Sequence, residues 1–320
     1  MEKFLQRNFT ILLITHDYSI INEMVQQYPG MLPHIYFTDL QLTAHGLKQE
    51  NFSARDYQDW HAGLKSFAAR REPGSKPVLK VESRITIFKR KMIISKDAQG
   101  IMERALEVYP GEMVYLKAGS GVGKTSLAKC ILGLLPGAAG IQFSLGGLTF
   151  NDKSDTKVWR RKIWGKVATM VFQHADESLN LNARVKDVFG GLPLTAKMNT
   201  QRLIQQLQWI FNIPLDSGFL GRKVASLSGG QKQRLNLMRA LILDTGLIIL
   251  DEPLNGLGFE SIQKILELLR EKQTAGQGIL LISHNEDIFD KLIPAESIYY
   301  LNFVPHPAHT LDGEGEIKYK

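Results

Sequence analysis

From Val78 onward, short apolar runs alternate with stretches whose apolar residues recur at helical spacing. Met113–Leu116, Val167–Phe172, Leu247–Leu250 and Ile279–Ile282 are largely apolar and bounded by polar residues or glycine. That is the pattern of strands buried on both faces. Ser126–Leu135 and the Arg- and Leu-rich stretch after Gln231 read as helices. The alternation predicts an α/β fold around a mostly parallel sheet.

The pattern before Val78 is different. Ile11-Leu12-Leu13-Ile14-Thr15-His16 nearly repeats as Ile279-Leu280-Leu281-Ile282-Ser283-His284, about 270 residues later. Met1–Arg7 and Lys264–Lys272 each resemble the tail of an amphipathic helix leading into that run. The interval is about the size of a whole domain. Residues 1–48 are therefore expected to be the C-terminal remnant of a first domain homologous to the main one. In 49–77, Ser53 is placed to cap a helix whose Tyr57, Trp60, Leu64 and Phe67 form one apolar stripe. Arg70–Pro77 reads as a linker, and the main domain is expected over 78–320.

Composition narrows the class. With 44% hydrophobic and 22% charged residues, the chain reads as globular. No stretch approaches the roughly 18 apolar residues of a membrane span, and the first residues do not read as a signal peptide. The lone Cys130 excludes an internal disulfide and suits a reducing, cytoplasmic setting. A net charge of +7 permits polyanion contact without requiring it. Lys89-Arg90-Lys91 and Arg160-Arg161-Lys162 read as solvated faces, and neither zinc-ligand spacing nor an aromatic RNA-binding signature occurs.

The candidate chemistry centres on Ala118-Gly119-Ser120-Gly121-Val122-Gly123-Lys124-Thr125-Ser126, which follows a strand and opens a helix. A glycine-rich turn there points successive N–H groups at a phosphate. Lys124 then reaches the outer phosphates and Thr125 can hold Mg²⁺. Ala118 replaces the first glycine of the usual pattern and fits only where φ is not positive.

Four further features follow in order. Gln173 ends a strand-like run, where its side chain can touch both metal and water. Leu227-Ser228-Gly229-Gly230-Gln231 opens a helix with a Ser cap, a second anion-binding device. Asp251 and Glu252 end a buried run, with Asp251 suited to hold Mg²⁺ through water and Glu252 to polarise the attacking water. His284 ends the last apolar run as a candidate γ-phosphate sensor.

Together these residues resemble an ATP-binding cassette (ABC) ATPase over roughly Val78–Phe303. The resemblance implies a P-loop NTPase fold with an antiparallel β subdomain and a helical subdomain. It makes Gly119–Ser126 the Walker A loop, Gln173 the Q-loop, Leu227–Gln231 the signature, Leu250–Glu252 Walker B and His284 the switch histidine. Phe88 falls where the family places an aromatic that stacks on adenine. Met170-Val171-Phe172-Gln173 followed by Ser178-Leu179-Asn180 is similar to oligopeptide, dipeptide and nickel importer ATPases, with His174-Ala175 in place of their Asp-Pro. Gly258 stands where the family has an aspartate that couples two sites. The implied function is ATP hydrolysis at the cytoplasmic face of a membrane. The implied partners are a second cassette, a permease and, indirectly, a solute-binding protein, with no nucleic acid. Two alternatives remain at this stage: a soluble ABC ATPase acting on ribosomes or nucleic acid, and a non-hydrolysing ATP-dependent binding module.

Overall fold

A computed structural model describes residues 11–15, 17–43, 46–67, 71–135, 139–151, 153–194, 200–211 and 217–304. Its strands are β1 (Thr38–Thr43), β2 (Gly46–Asn51), β3 (Leu79–Val81), β4 (Arg84–Ile87), β5 (Arg90–Ser95), β6 (Leu106–Val108), β7 (Met113–Lys117), β8 (Ala139–Gly140), β9 (Phe143–Leu145), β10 (Leu148–Phe150), β11 (Ala168–Val171), β12 (Leu247–Asp251), β13 (Gly278–Ile282) and β14 (Ile298–Phe303). The main helices are α1 (Ser19–Gln27), α2 (Ala54–Ala62), α3 (Lys124–Ile131), α4 (Thr200–Phe211), α5 (Gly229–Leu241), α6 (Phe259–Thr274) and α7 (Glu286–Leu292).

The central sheet runs β11-β12-β13-β7-β14-β5-β4-β8. The first five strands are parallel and the last three are added antiparallel. Alternate residues of the central strands enter two different cores, as strand geometry requires. Tyr115, Ile248, Leu250, Ile279 and Leu281 face α5, α6 and α7. Val114, Leu116, Leu247, Ile249, Leu280 and Ile282 face α3 and the antiparallel sheet β10-β9-β3-β6. Because both faces are covered, these strands are apolar throughout. Register aligns their carboxyl ends: Asp251 pairs with Ile282, and Leu281 with Tyr115. The loops leaving β7, β12 and β13 thus open at one edge, where open α/β sheets bind ligands.

The expected fold is present, with local differences. The helix after the glycine-rich loop starts at Lys124, two residues before the expected Ser126, and ends at Ile131. Ser53 caps α2 by accepting from the Asp56 N–H at 3.1 Å. That helix stops at Ala62, before Gly63, so Leu64 and Phe67 reach the core from non-helical backbone. Residues 11–15, expected as a strand, form none, and Leu12 and Ile14 are exposed. The near-identical second copy does form a strand, β13, paired on both sides within the central sheet. His16 and the Met1–Arg7 helix lie outside the described residues.

Candidate functional site

The loop 118–123 joins β7 to α3. Gly121 and Gly123 take φ of +75° and +121°, a region that favours glycine. Among the described residues only Phe88, Lys89 and Glu252 take positive φ without being glycine. Ala118 is therefore free of the conflict its sequence raised, and it packs against the core on the α3 face. Lys124 Nζ is folded onto the loop, donating to the Ala118 carbonyl at 2.6 Å and the Gly119 carbonyl at 3.4 Å. Burial lowers its pKa, and the charges of Glu252 and Asp251 act in the opposite direction.

Asp251 ends β12 and is almost wholly buried, and neither carboxylate oxygen has a hydrogen-bond partner. Burial raises its pKa. The Thr125 hydroxyl faces the carboxylate and offsets part of that rise without a formed hydrogen bond. Glu252 is also buried and adopts φ of +50°, a conformation that costs about 1–3 kcal/mol in a non-glycine residue. Its N–H donates to the Ile282 carbonyl at 2.8 Å, tying it to the end of β13. Its Oε2 accepts from the His284 N–H at 3.0 Å and the Ser283 hydroxyl at 3.2 Å. His284 Nε2 lies 3.6 Å from Oε1, and the imidazole is 56% exposed. The structure therefore brings Lys124, Thr125, Asp251, Glu252 and His284 together.

Gln173 follows β11 and is half-buried. The segment 172–178 lies between α3 and α5. Lys129 pairs with Glu177 at 2.6 Å, and Lys232 pairs with Asp176 at 3.0 Å. Asn236 donates to the Phe172 carbonyl at 2.9 Å and accepts from Ser178 Oγ at 2.8 Å. Asn236 holds the residue before Gln173. It escaped the sequence reading because an Asn inside a helix carries no local signal of such a bridge.

Ser228 caps α5 reciprocally with Gln231, at 3.2 and 3.0 Å. Leu227 is buried beneath the turn. A Cβ on Gly230 would stand 2.8 Å from the Gly256 carbonyl, so glycine lets the loop after Glu252 approach the start of α5. Among the described residues, no hydrogen bond or ion pair joins 227–231 to 118–126. Phe88 lies in the two-residue turn between β4 and β5, not in a strand, with positive φ and 57% exposure. An exposed aromatic there is strained and contributes little to the core.

The site suits Mg²⁺ in its donor chemistry. Two buried, unpartnered carboxylate oxygens on Asp251 lie beside the Thr125 hydroxyl. Among the described residues no three-ligand His, Cys, Asp or Glu cluster occurs. Mg²⁺ commonly uses one or two protein oxygens with phosphate and water for the rest.

A family model described as ABC transporter matches residues 102–255. The nickel import ATP-binding protein LarO of Lactiplantibacillus plantarum is 34% identical over 194 residues, 59% of this chain and 78% of its own length. The energy-coupling factor transporter ATP-binding protein EcfA2 of Lactobacillus johnsonii is 30% identical over 190 residues, 59% of this chain and 64% of its own. An ABC transporter ATP-binding protein of Treponema denticola is 28% identical over 207 residues, covering 62% of this chain but 41% of that protein. The chain thus spans less than two thirds of the latter two relatives. These relatives include a nickel import protein and are not specifically oligopeptide importers. In structure, the ATP-binding cassette MJ0796, solved as a dimer in a post-hydrolysis state with ADP and Pi, aligns with a TM-score of 0.53 at 20% identity, over 70% of this chain and 94% of that one. The fold is that of an ABC ATPase.

Proposed function

The chain belongs to the ABC transporter ATP-binding proteins, and on that footing we propose that it binds ATP with Mg²⁺ and hydrolyses it to drive a membrane permease. One observation carries the reading. The buried Glu252 carboxylate is held by the His284 N–H at 3.0 Å and the Ser283 hydroxyl at 3.2 Å, at the same sheet edge from which the glycine-rich loop with Lys124 leaves β7.

The N–H groups of Gly119–Ser126 and the Lys124 ammonium cradle the phosphates, and Phe88 offers its face to adenine. Thr125, Asp251 and Gln173 hold Mg²⁺, which when bound offsets phosphate charge. Glu252 accepts the proton of the attacking water, and His284 donates to the γ-phosphate. Leu227–Gln231 of a second cassette closes on the nucleotide, its helix-start N–H groups adding to those of the glycine-rich loop.

The importer assignment draws on the nickel import and energy-coupling factor relatives. It implies a cytoplasmic, peripheral location, with a solute-binding protein acting only through the permease. Among the described residues no helix is long and apolar enough to cross a membrane. Residues 1–48 are read as the C-terminal remnant of a preceding cassette, 49–77 as helix and linker, and 78–320 as the cassette itself. After the first copy of the repeat come α1, a 3₁₀ turn and β1. After the second come α7, a 3₁₀ turn and β14, in the same order.

Glu252→Gln tests the hydrolytic role, since it keeps shape and removes charge. ATP binding is expected to persist while turnover falls by about two orders of magnitude. Near-normal hydrolysis by that variant removes Glu252 from the chemistry.

A further inference from the structure

Residues 17–67 lie before the stretch that the family model matches, yet they touch both helices that leave the reacting loops. Gly258 at the start of α6 provides no side-chain cap. The Phe259 N–H donates instead to the Tyr18 hydroxyl at 3.0 Å. Phe259 is also packed by the rings of Phe52, Tyr57 and Trp60, with centroids 4.9–5.6 Å away.

The grip on α7 is polar. Asp287, three residues after His284, accepts at Oδ2 from Asn22 Nδ2 and the Tyr57 hydroxyl, each at 3.1 Å, while its main-chain carbonyl lies 2.9 Å from His61 Nε2, which is also 3.1 Å from Oδ2. Lys291 Nζ lies 3.0 Å from His61 Nδ1 and Asn22 Nδ2 lies 3.4 Å from it. With two donors facing Nδ1, the ring hydrogen belongs on Nε2, toward Asp287. At the other end of α7, the Leu292 carbonyl accepts from the Phe67 N–H at 2.6 Å and the Ser66 hydroxyl at 3.2 Å. A cavity of about 270 Å³, lined by Tyr18, Asn22, Tyr57, His284 and Asp287 among others, separates this strap from the imidazole.

We propose that the described residues of 17–67 form a brace that sets the position of His284 by fixing α7 at Asp287, making Asp287 a positioning residue for ATP cleavage. The inference rests on the hydrolytic reading above. His284 is tied on one side to Glu252 and on the other to the first turn of α7, so a shift of α7 moves the imidazole relative to the Glu252 carboxylate. A misplacement of about 1 Å can lower a rate by about a hundredfold.

The test compares Asp287→Ala, Asp287→Asn and Tyr57→Phe in the full chain, each with His284 intact and with His284→Ala. Single-turnover ATP cleavage, ATP affinity and thermal midpoint are measured. With His284 present, Asp287→Ala is expected to slow cleavage about tenfold with ATP affinity within about twofold, and Asp287→Asn to recover part of the loss. In the His284→Ala background the same substitution should change the rate less than about twofold, because the group it positions is gone. An unchanged rate, or an equal loss in both backgrounds, overturns the proposal. If Asp287→Ala does not fold, Tyr57→Phe carries the same comparison, since it removes one hydroxyl and keeps the ring. A wild-type chain that cleaves no ATP even with a partner cassette present refutes the hydrolytic reading and this inference with it, and that result is distinct from equal losses in a cleaving protein.

Discussion

Asp251 illustrates how a single residue can oppose the stability of its own fold. Its carboxylate is buried without a partner, and burial raises its pKa. The folded state therefore holds its proton to higher pH than the unfolded state does. The sign follows from proton linkage. Stability declines as pH rises from the unfolded carboxylate value through the raised folded one, and above that window the loss is complete. Asp251→Asn is expected to raise the thermal midpoint without nucleotide at pH 8, by the equivalent of about 1 kcal/mol. The advantage should shrink as pH falls into the carboxylate range. A midpoint at pH 8 equal to or below that of wild type contradicts the account. Lys124 differs in kind, because its ammonium has the loop carbonyls as interim partners. Lys124→Ala should weaken ATP binding about ten- to 150-fold, the range for losing a hydrogen bond to a charged group. Equilibrium titration with a fluorescent nucleotide checks it.

At the scale of elements, what was legible depended on whether the signal was local. The glycine-rich loop, the Ser228 cap and the acidic end of β12 were readable because each needs particular residues next to one another. The pairing of Gly230 with Gly256 was not, since a glycine beside a helix cap looks like part of the cap. Gly230→Ala places a Cβ 2.8 Å from the Gly256 carbonyl, and backbone cannot yield as a flexible side chain can. A loss of about 1–3 kcal/mol is expected, readable by urea denaturation. Gly229, with nothing near its Cβ, should tolerate Ala with little change in stability, which separates the contact from helix propensity. The near-identical runs at 11–14 and 279–282 make the same point in reverse. One is a fully buried strand and the other forms none, because strand formation is decided by neighbours more than by intrinsic preference. The hold of Asn236 on Phe172 and of Asp287 on α2 joins residues 64 and 230 positions apart. No periodicity in the chain encodes contacts of that span.

At the scale of the whole molecule, the two anion-binding devices share no hydrogen bond or ion pair among the described residues. The glycine-rich loop leaves β7, whereas Ser228 begins α5 on the opposite core. On the proposed function, a nucleotide clamped by both lies between two cassettes. If both are copies of this chain, each composite site takes its loop from one copy and its Ser228 turn from the other. Two defective chains can then repair each other. Lys124→Ala alone and Gly229→Asp alone should each be inactive, the first lacking its phosphate ligand and the second setting a like charge against the phosphates. Mixed in equal amounts, half of the dimers carry one of each, and one of the two sites in those dimers is intact in both halves. The mixture should therefore recover about a quarter of wild-type turnover if sites act independently. Recovery must rise with the fraction of mixed dimers and vanish when either chain is tested alone. If mixing restores nothing although the dimers exchange, both devices act within one chain or the second cassette is a different polypeptide. Adding candidate cassettes to the Gly229→Asp chain then separates those cases: its own loop is intact, so a true partner contributing a working turn restores turnover.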